Sequence, residues 1–279
     1  ATVIYGVPGL KVHSKLILIT SRVGNRETKI AHIGTGNFNE KTARIYTDFS
    51  LLTADKTITS EITNVFDFYA NNFNIGSYKH LAVAPFFMRQ TYVNLIDNEI
   101  ANAKAGKKAY MILKMNSLVD KDMIKKLYEA SQAGVQITLI VRGICSLVTE
   151  VEGISDNIKA YSIIDKYLEH TRVFVFGNNG DEKIFITSAD WMSRNLDSRS
   201  EVAVPIYHPE VKKQIIDILN IQLSGNTKVR ILDRYQQNNY KKPKANEKRV
   251  RVQDDVYNYL KKDKETYLKR ISHLKPTSK

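Results

Sequence analysis

The chain has 279 residues, 43% of them hydrophobic, which is enough to fill one large or two medium α/β cores and excludes disorder of the whole chain. A formal charge of +13, with no uninterrupted apolar stretch near ~20 residues, argues for a soluble protein that attracts an anionic partner: nucleic acid, a membrane surface or a phosphorylated substrate. Cys145 is the single cysteine, so an intramolecular disulfide and a cysteine metal cluster are excluded, as in a reducing compartment.

In chain order, β-branched runs at 12–20, 29–33 and 49–53 predict strands, and apolar residues at helical spacing (Ile58, Ile62, Val65, Phe66, Tyr69) predict a helix over 58–73. Residues 71–79, rich in Asn with Gly and Ser, break the periodicity and mark a boundary. Beyond it come a strand at 81–84, a helix at 89–105, a strand at 109–113, a helix at 120–132 and a strand at 135–141. Strands at 160–164, 172–176, 183–187 and 201–206 follow, then a helix at 209–223. This alternation predicts an α/β sheet with parallel pairs. Residues 241–279 hold 13 Lys/Arg against 5 Asp/Glu and read as a basic tail, a solvated helix or arm, with phosphate attraction as the sharper alternative.

Two segments overlay. In the first, His13-Ser-Lys15 is followed by Gly34-Thr-Gly-Asn37 and Asp48; in the second, His170-Thr-Arg172 is followed by Thr187-Ser-Ala-Asp190 and Glu201. Asn37 to Asp190 and Asp48 to Glu201 are equal intervals, and His13 to His170 is four residues longer, a single loop difference. A duplication accounts for this. The second copy has about ninety residues of α/β pattern before its His and the first has twelve, so the first copy is expected to lack its N-terminal part. The opening Ala-Thr-Val-Ile-Tyr, without an initiator Met or signal segment, also reads as a piece of something longer.

On a strand, a His two positions before a Lys or Arg shares a face with it. Neutral imidazole can attack phosphorus near pH 7, and the adjacent cation offsets the incoming charge. A lone His-x-Lys is ordinarily a surface pair; its repetition in matching context points to function. Two copies suit one shared site, one imidazole attacking and the other moving a proton. Asp48 and Glu201, at equivalent positions, can hold the catalytic imidazole in one tautomer, or be ordinary buried ion partners. His32, His80, His208 and His273 lack matching partners and are expected to be structural or at the surface, and Trp191 to be packing.

His13-Ser-Lys15 with Gly34-Thr-Gly-Asn37 resembles a half-site of the phospholipase D superfamily, although that superfamily's Asp five after the Lys is Thr20 here and Gly177 in the second copy. The strings at 9–15, 32–39, 42–48, 167–172 and 188–197 closely resemble bacterial polyphosphate kinase, in that family's order, over about 5–225. The resemblance implies an α/β fold of tandem phospholipase-D-like domains with mixed β-sheets flanked by helices, the first domain truncated at its N-terminus. It places the C-terminal half of the first catalytic domain at 1–74, the second catalytic domain at 75–225 and a basic, partly helical tail at 226–279.

The same resemblance implies that ATP gives its terminal phosphate to His13 and that the phosphohistidine passes it, reversibly, to the end of a polyphosphate chain. Tyr46, Arg142 and His170 would contact the nucleotide (ATP/ADP), with His170 also the general acid/base. Lys15, Arg172 and Arg89 are phosphate-clamp candidates, and Asn37 and Asp190 candidates for orienting phosphate or imidazole. Mg2+ is expected with ATP, and no protein metal site is visible in the sequence; the family's metal contacts lie upstream of the first His, so this piece alone is not expected to be a complete catalyst. A cytoplasmic enzyme, homo-oligomeric at full length and open to peripheral membrane association, completes the expectation. The competing readings are a phospholipase-D-like phosphodiesterase or nuclease, with water as acceptor, and a non-catalytic module binding polyphosphate or nucleic acid.

Overall fold

The computed structural model describes residues 3–272, so His273 and the last tail residues lie outside it. The elements are β1 (Lys11–Val12), β2 (Lys15–Val23), β3 (Arg26–Gly34), α1 (Glu40–Ala43), β4 (Tyr46–Thr47), β5 (Ser50–Thr53), α2 (Lys56–Ala70), β6 (Ala82–Ala84), α3 (Met88–Lys104), β7 (Tyr110–Met115), α4 (Lys121–Gln132) and β8 (Gln136–Val141). They continue with β9 (Ile158–Ile163), β10 (Leu168–Glu169), β11 (Val173–Phe176), β12 (Lys183–Thr187), α5 (Ser193–Asp197), β13 (Arg199–Pro205), α6 (Pro209–Ser224), β14 (Val229–Ile231) and α7 (Val252–Ser272).

Helix starts follow local chemistry. Asp55 accepts from the N–H groups of Thr57 and Ile58 at the start of α2, and Asp120 accepts from Met123 N–H at the start of α4, each satisfying donors the first helical turn leaves open. The apolar stripe of α2 (Ile58, Ile62, Val65) is buried, as its spacing predicts.

The second copy, joined by β1 of the first, builds a nine-stranded sheet, ordered β1-β13-β12-β11-β7-β8-β9-β14 with β6 also on β13. The β7-β8-β9 and β1-β13 pairs are parallel, and β11, β12 and β14 run antiparallel to their neighbours, as does β13 to β12 and β6, so the sheet is mixed. The first copy supplies an antiparallel three-stranded sheet, β2-β3-β5. One core joins the copies: Ala31, Ile33, Ile58, Ile62 and Val65 of the first pack in the same cluster as Val173, Val175, Ile184, Val202, Ile215 and Leu219 of the second. Phe174 and Phe176, on the far face of the large sheet, pack in a second cluster with Ile96 and Ile100 of α3 and Leu127 of α4. The corresponding face of the small sheet leaves Ile17, Ile19 and Leu52 exposed.

Two expectations need correction. The strand expected over 12–20 is two strands in two sheets: β1 pairs in parallel with β13 of the large sheet, β2 belongs to the small one, and His13 sits at the step between them. The N–H groups of His13 and Ser14 both donate to Ser200 O, which holds the step to β13. The tail is not merely solvated either. β14, beyond the boundary expected at 225, pairs with β9, and Val252 at the start of α7 is buried so close to Gly225 that a Cβ there would fall 2.3 Å from its methyl. No helix among the described residues is long and apolar enough to cross a membrane.

Candidate active site

The two copies meet through two short parallel bridges. In one, Lys11 and Val12 lie against Arg199 and Ser200; in the other, Leu168 and Glu169 lie against Tyr46 and Thr47. The repeat intervals carry one bridge onto the other with the copies exchanged. Each bridge therefore ends with a histidine from one copy beside a carboxylate from the other.

The bonding is accordingly crosswise. His13 Nδ1 lies 2.9 Å from both carboxylate oxygens of Glu201, and His170 Nδ1 lies 2.8 Å from Asp48 Oδ1. A carboxylate only accepts, so each Nδ1 carries its proton and donates it, which leaves each Nε2 with the lone pair needed for nucleophilic or basic chemistry. Glu201 is 0% exposed and also accepts from Ser188 Oγ and from Asn195 Nδ2, each at 2.5 Å. Asp48 accepts from Thr35 Oγ1 at 2.7 Å. Thr35 and Ser188 each precede their carboxylate by 13 residues, so the hydroxyl support is duplicated too. Gly36 admits Asp48, because a Cβ there would fall 2.0 Å from Oδ2. The Gly34-Thr-Gly-Asn37 string thus holds the carboxylate that serves the other copy's imidazole.

The cations two residues after each histidine are buried, Lys15 to 5% exposure and Arg172 to 4%. Each donates to the carbonyl of its own histidine: Lys15 Nζ to His13 O at 2.5 Å, Arg172 Nη1 to His170 O at 3.0 Å. Arg172 further donates Nε and Nη2 to Asp190 and Nη1 to Thr35 O, so its fork is largely committed to protein. Its Nη1 lies 3.0 and 3.3 Å from His170 Nε2 and Nδ1, spanning the ring. Burial lowers the His170 pKa; the Asp48 hydrogen bond opposes this and the Arg172 charge reinforces it, which keeps the ring neutral at neutral pH. Lys15 is pushed down to about 8, first by burial and then by Arg172, with Glu201 and Asp48 opposing.

Tyr46 meets His170 with ring centroids 5.0 Å apart and opens onto a cavity of about 300 Å³ walled by Tyr167, Glu169, Gln253 and Tyr257. Arg142 is half-buried beside Arg172 and Asp190, and its Nε donates to Asn116 Oδ1 at 2.5 Å. Its outer side faces a polar cavity of about 240 Å³ with Ser162, Asp233 and Asn238. Of the other candidates, Asp190 holds Arg172 and accepts from the N–H groups of Asn116 and Ser117, Asn37 is exposed, and Arg89 is bound bidentately by Asp120 and also by Asp197. Arg89 therefore ties α3 to the start of α4 and to α5, a different place from that of a phosphate clamp.

Sequence reasoning missed Thr35, Ser188 and Asn195 as carboxylate supports; the equal 13-residue spacing was the available signal. It also missed Glu169, a buried carboxylate bonded by Lys114 at 2.6 Å and by Gln253 of α7 at 2.9 Å. Among the described residues no group of three or more His, Cys, Asp or Glu side chains is arranged to hold a metal ion. The carboxylates near the histidines are each occupied by an imidazole or a cation.

The family model of the polyphosphate kinase C-terminal domain 1 matches residues 1–75, and that of C-terminal domain 2 matches 81–253. The chain belongs to the polyphosphate kinase family. It is 53% identical over 259 residues to the polyphosphate kinase of Vibrio parahaemolyticus and 49% identical over 259 residues to that of Escherichia coli K12, covering 93% of this chain in both cases. It spans only 37% and 38% of those relatives' lengths. The crystal structure of polyphosphate kinase from Porphyromonas gingivalis superposes with a TM-score of 0.86 at 47% identity, over 93% of this chain and 40% of that one. This match bears out the α/β architecture expected from the sequence.

Proposed function

We propose that the whole enzyme containing this chain is a polyphosphate kinase that moves the terminal phosphate of ATP through His13 to the end of an inorganic polyphosphate chain, and back. The observation carrying this reading is the crosswise pairing, which presents two imidazole Nε2 atoms, each fixed through Nδ1, at the junction of the two copies. In the first step His13 Nε2 forms a bond to the terminal phosphorus as the bridging P–O bond breaks and ADP leaves with the electron pair. In the second, an oxygen of the polyphosphate end forms the new P–O bond, the P–N bond breaks, and the imidazole is restored. His170, neutral and beside Arg172, takes or returns the proton of the entering or leaving phosphate oxygen.

Lys15 supplies charge under the transferred group, and Tyr46, Arg142 and His170 form the nucleotide's contacts. Arg172 and Asp190 act by fixing His170, and Asn37 is exposed. Mg2+ would travel on the nucleotide phosphates, neutralising their charge, since these protein carboxylates are already engaged. In this reading 1–74 belongs to a first catalytic domain whose remaining part covers the exposed Ile17, Ile19 and Leu52 face, and 75–225 forms the second, to which β14 and the start of α7 are joined; the second family match, over 81–253, supports that extension. A cytoplasmic, homo-oligomeric enzyme fits this reading, and the net charge of +13 supports attraction to polyphosphate or to an anionic membrane surface.

The test is turnover by the full-length enzyme. ATP-dependent polyphosphate synthesis that is lost in His13→Ala supports the reading. Hydrolysis of a phosphodiester without phosphate transfer from ATP would favour the phosphodiesterase alternative.

A further inference from the structure

Each histidine sits on an irregular step between a bridge and a strand, so its position depends on what clamps the bridge. The repeat makes the two clamps comparable, and they differ. At the His170 bridge, Glu169 is gripped by Lys114, Gln253, Gln222 of α6 and Thr47. At the His13 bridge the residue equivalent to Glu169 is Val12, and no carboxylate is there to grip. The α2 residue equivalent to Gln222 is Tyr69. Its hydroxyl lies 2.7 Å from Ser14 Oγ and 2.6 Å from Ser200 Oγ.

Ser14 follows His13 and Ser200 precedes Glu201, so one half-buried tyrosine hydroxyl ties together the two residues flanking the imidazole–carboxylate pair. We infer that Tyr69 is a positioning residue for phosphate transfer: its hydroxyl sets the separation of the strands that carry His13 and Glu201, and so keeps Nδ1 on the carboxylate and Nε2 directed at the site. Burial raises the Tyr69 pKa, so the hydroxyl remains protonated and acts as a fixed donor and acceptor. Its ring is held independently by Phe66 and Phe68, with centroids 6.0 and 5.9 Å away, so Tyr69→Phe removes the tie and keeps the packing. The effect on turnover rests on the proposed role of His13; the effect on the imidazole itself does not.

The experiment uses the full-length enzyme and compares parent, Tyr69→Phe and Ser200→Ala, the last cutting the same tie from the other strand should the first variant fold poorly. Two quantities are read: kcat and KM for ATP, and the rate at which diethyl pyrocarbonate modifies His13, with exposed His208 as internal reference. The expected result is a fall in kcat of about 10- to 100-fold at unchanged KM, the scale of a small misplacement of a reacting group, together with a changed His13 modification rate. If His13 reactivity is the same as in the parent in both variants, the inference is overturned, whatever happens to kcat. If the parent transfers no phosphate but His13 reactivity changes in the variants, the positioning role stands and the proposed function fails.

Discussion

His13 and Glu201 stand 188 residues apart in sequence and 2.9 Å apart in space, the imidazole from one copy of the repeat and the carboxylate from the other. His170 and Asp48 repeat the relationship in the opposite sense. Neither copy owns a complete imidazole–carboxylate pair, so the site exists only when the copies dock, and the core they share supplies the cohesion.

Glu201→Gln keeps the shape but removes the charge that fixes the His13 tautomer. The rate of phosphohistidine formation is expected to fall by about 10²- to 10⁴-fold, the scale at which losing a tautomer-fixing carboxylate acts. Rapid quench of the full-length enzyme with labelled ATP checks this. A loss below about threefold would mean that the pair is only structural.

Asp48→Asn should act on His170 instead. Its hydrogen bond raises the His170 pKa against burial, so without it the ring becomes still harder to protonate, and kcat should drop by about 10²- to 10⁴-fold, the range of a lost general acid/base. Gly36→Ala should give a similar loss without removing a titrating group, because the new Cβ would occupy the place of Asp48 Oδ2 and push the carboxylate off His170. Steady-state kinetics of both variants tests the shared cause.

Lys15 makes a pH prediction. With its pKa lowered to about 8, chiefly by burial, it is a cation below that pH and loses its charge above it. Transfer rate should fall as pH rises through about 8, and Lys15→Arg, charged throughout, should carry the fall to higher pH. Stability should move the other way. The folded state binds fewer protons than the unfolded between about 8 and the ordinary lysine value near 10.5, so stability rises with pH across that window, by on the order of 3 kcal/mol in all. Lys15→Met should abolish that rise in a melting series.

Arg89 separates structure from chemistry. Burial would raise the Asp120 carboxyl, but the bonds from Arg89, the Met123 N–H and Ser193 outweigh it and hold it down to about 2. Arg89→Ala strands that buried carboxylate and should cost about 3 kcal/mol at neutral pH. The cost should shrink as pH falls from about 4 toward 2, where Asp120 becomes protonated. Turnover per folded molecule should stay within about twofold, which active-site titration would show.

Much of this was legible in the sequence, because periodicity and interval survive without tertiary information. The helices around Ile58–Val65 and Ile215–Leu219, the repeat, and the rank of His13, His170, Asp48 and Glu201 all followed from spacing. The crossing did not, since equal intervals say that two carboxylates are equivalent without saying which imidazole each meets. That is decided by β1 leaving its own copy to join β13, and by β4 joining β10. The same step misled the reading of His13 and Lys15 as neighbours on one strand face. Arg172 looked like a phosphate clamp because composition cannot reveal that Asp190 and Thr35 O already occupy its fork. In the tail, the run of lysines concealed Val252 and Gln253, whose docking depends on Gly225 and Glu169 far away in sequence.

The proposed mechanism requires His13 to be the residue that accepts phosphate, and peptide mapping tests that most directly. Full-length enzyme treated with γ-labelled ATP, quenched in base and digested should carry acid-labile label on His13, absent from His13→Ala and strongly reduced in Glu201→Gln. Label that persists in His13→Ala, or that maps to His170 in the parent, would contradict the assignment.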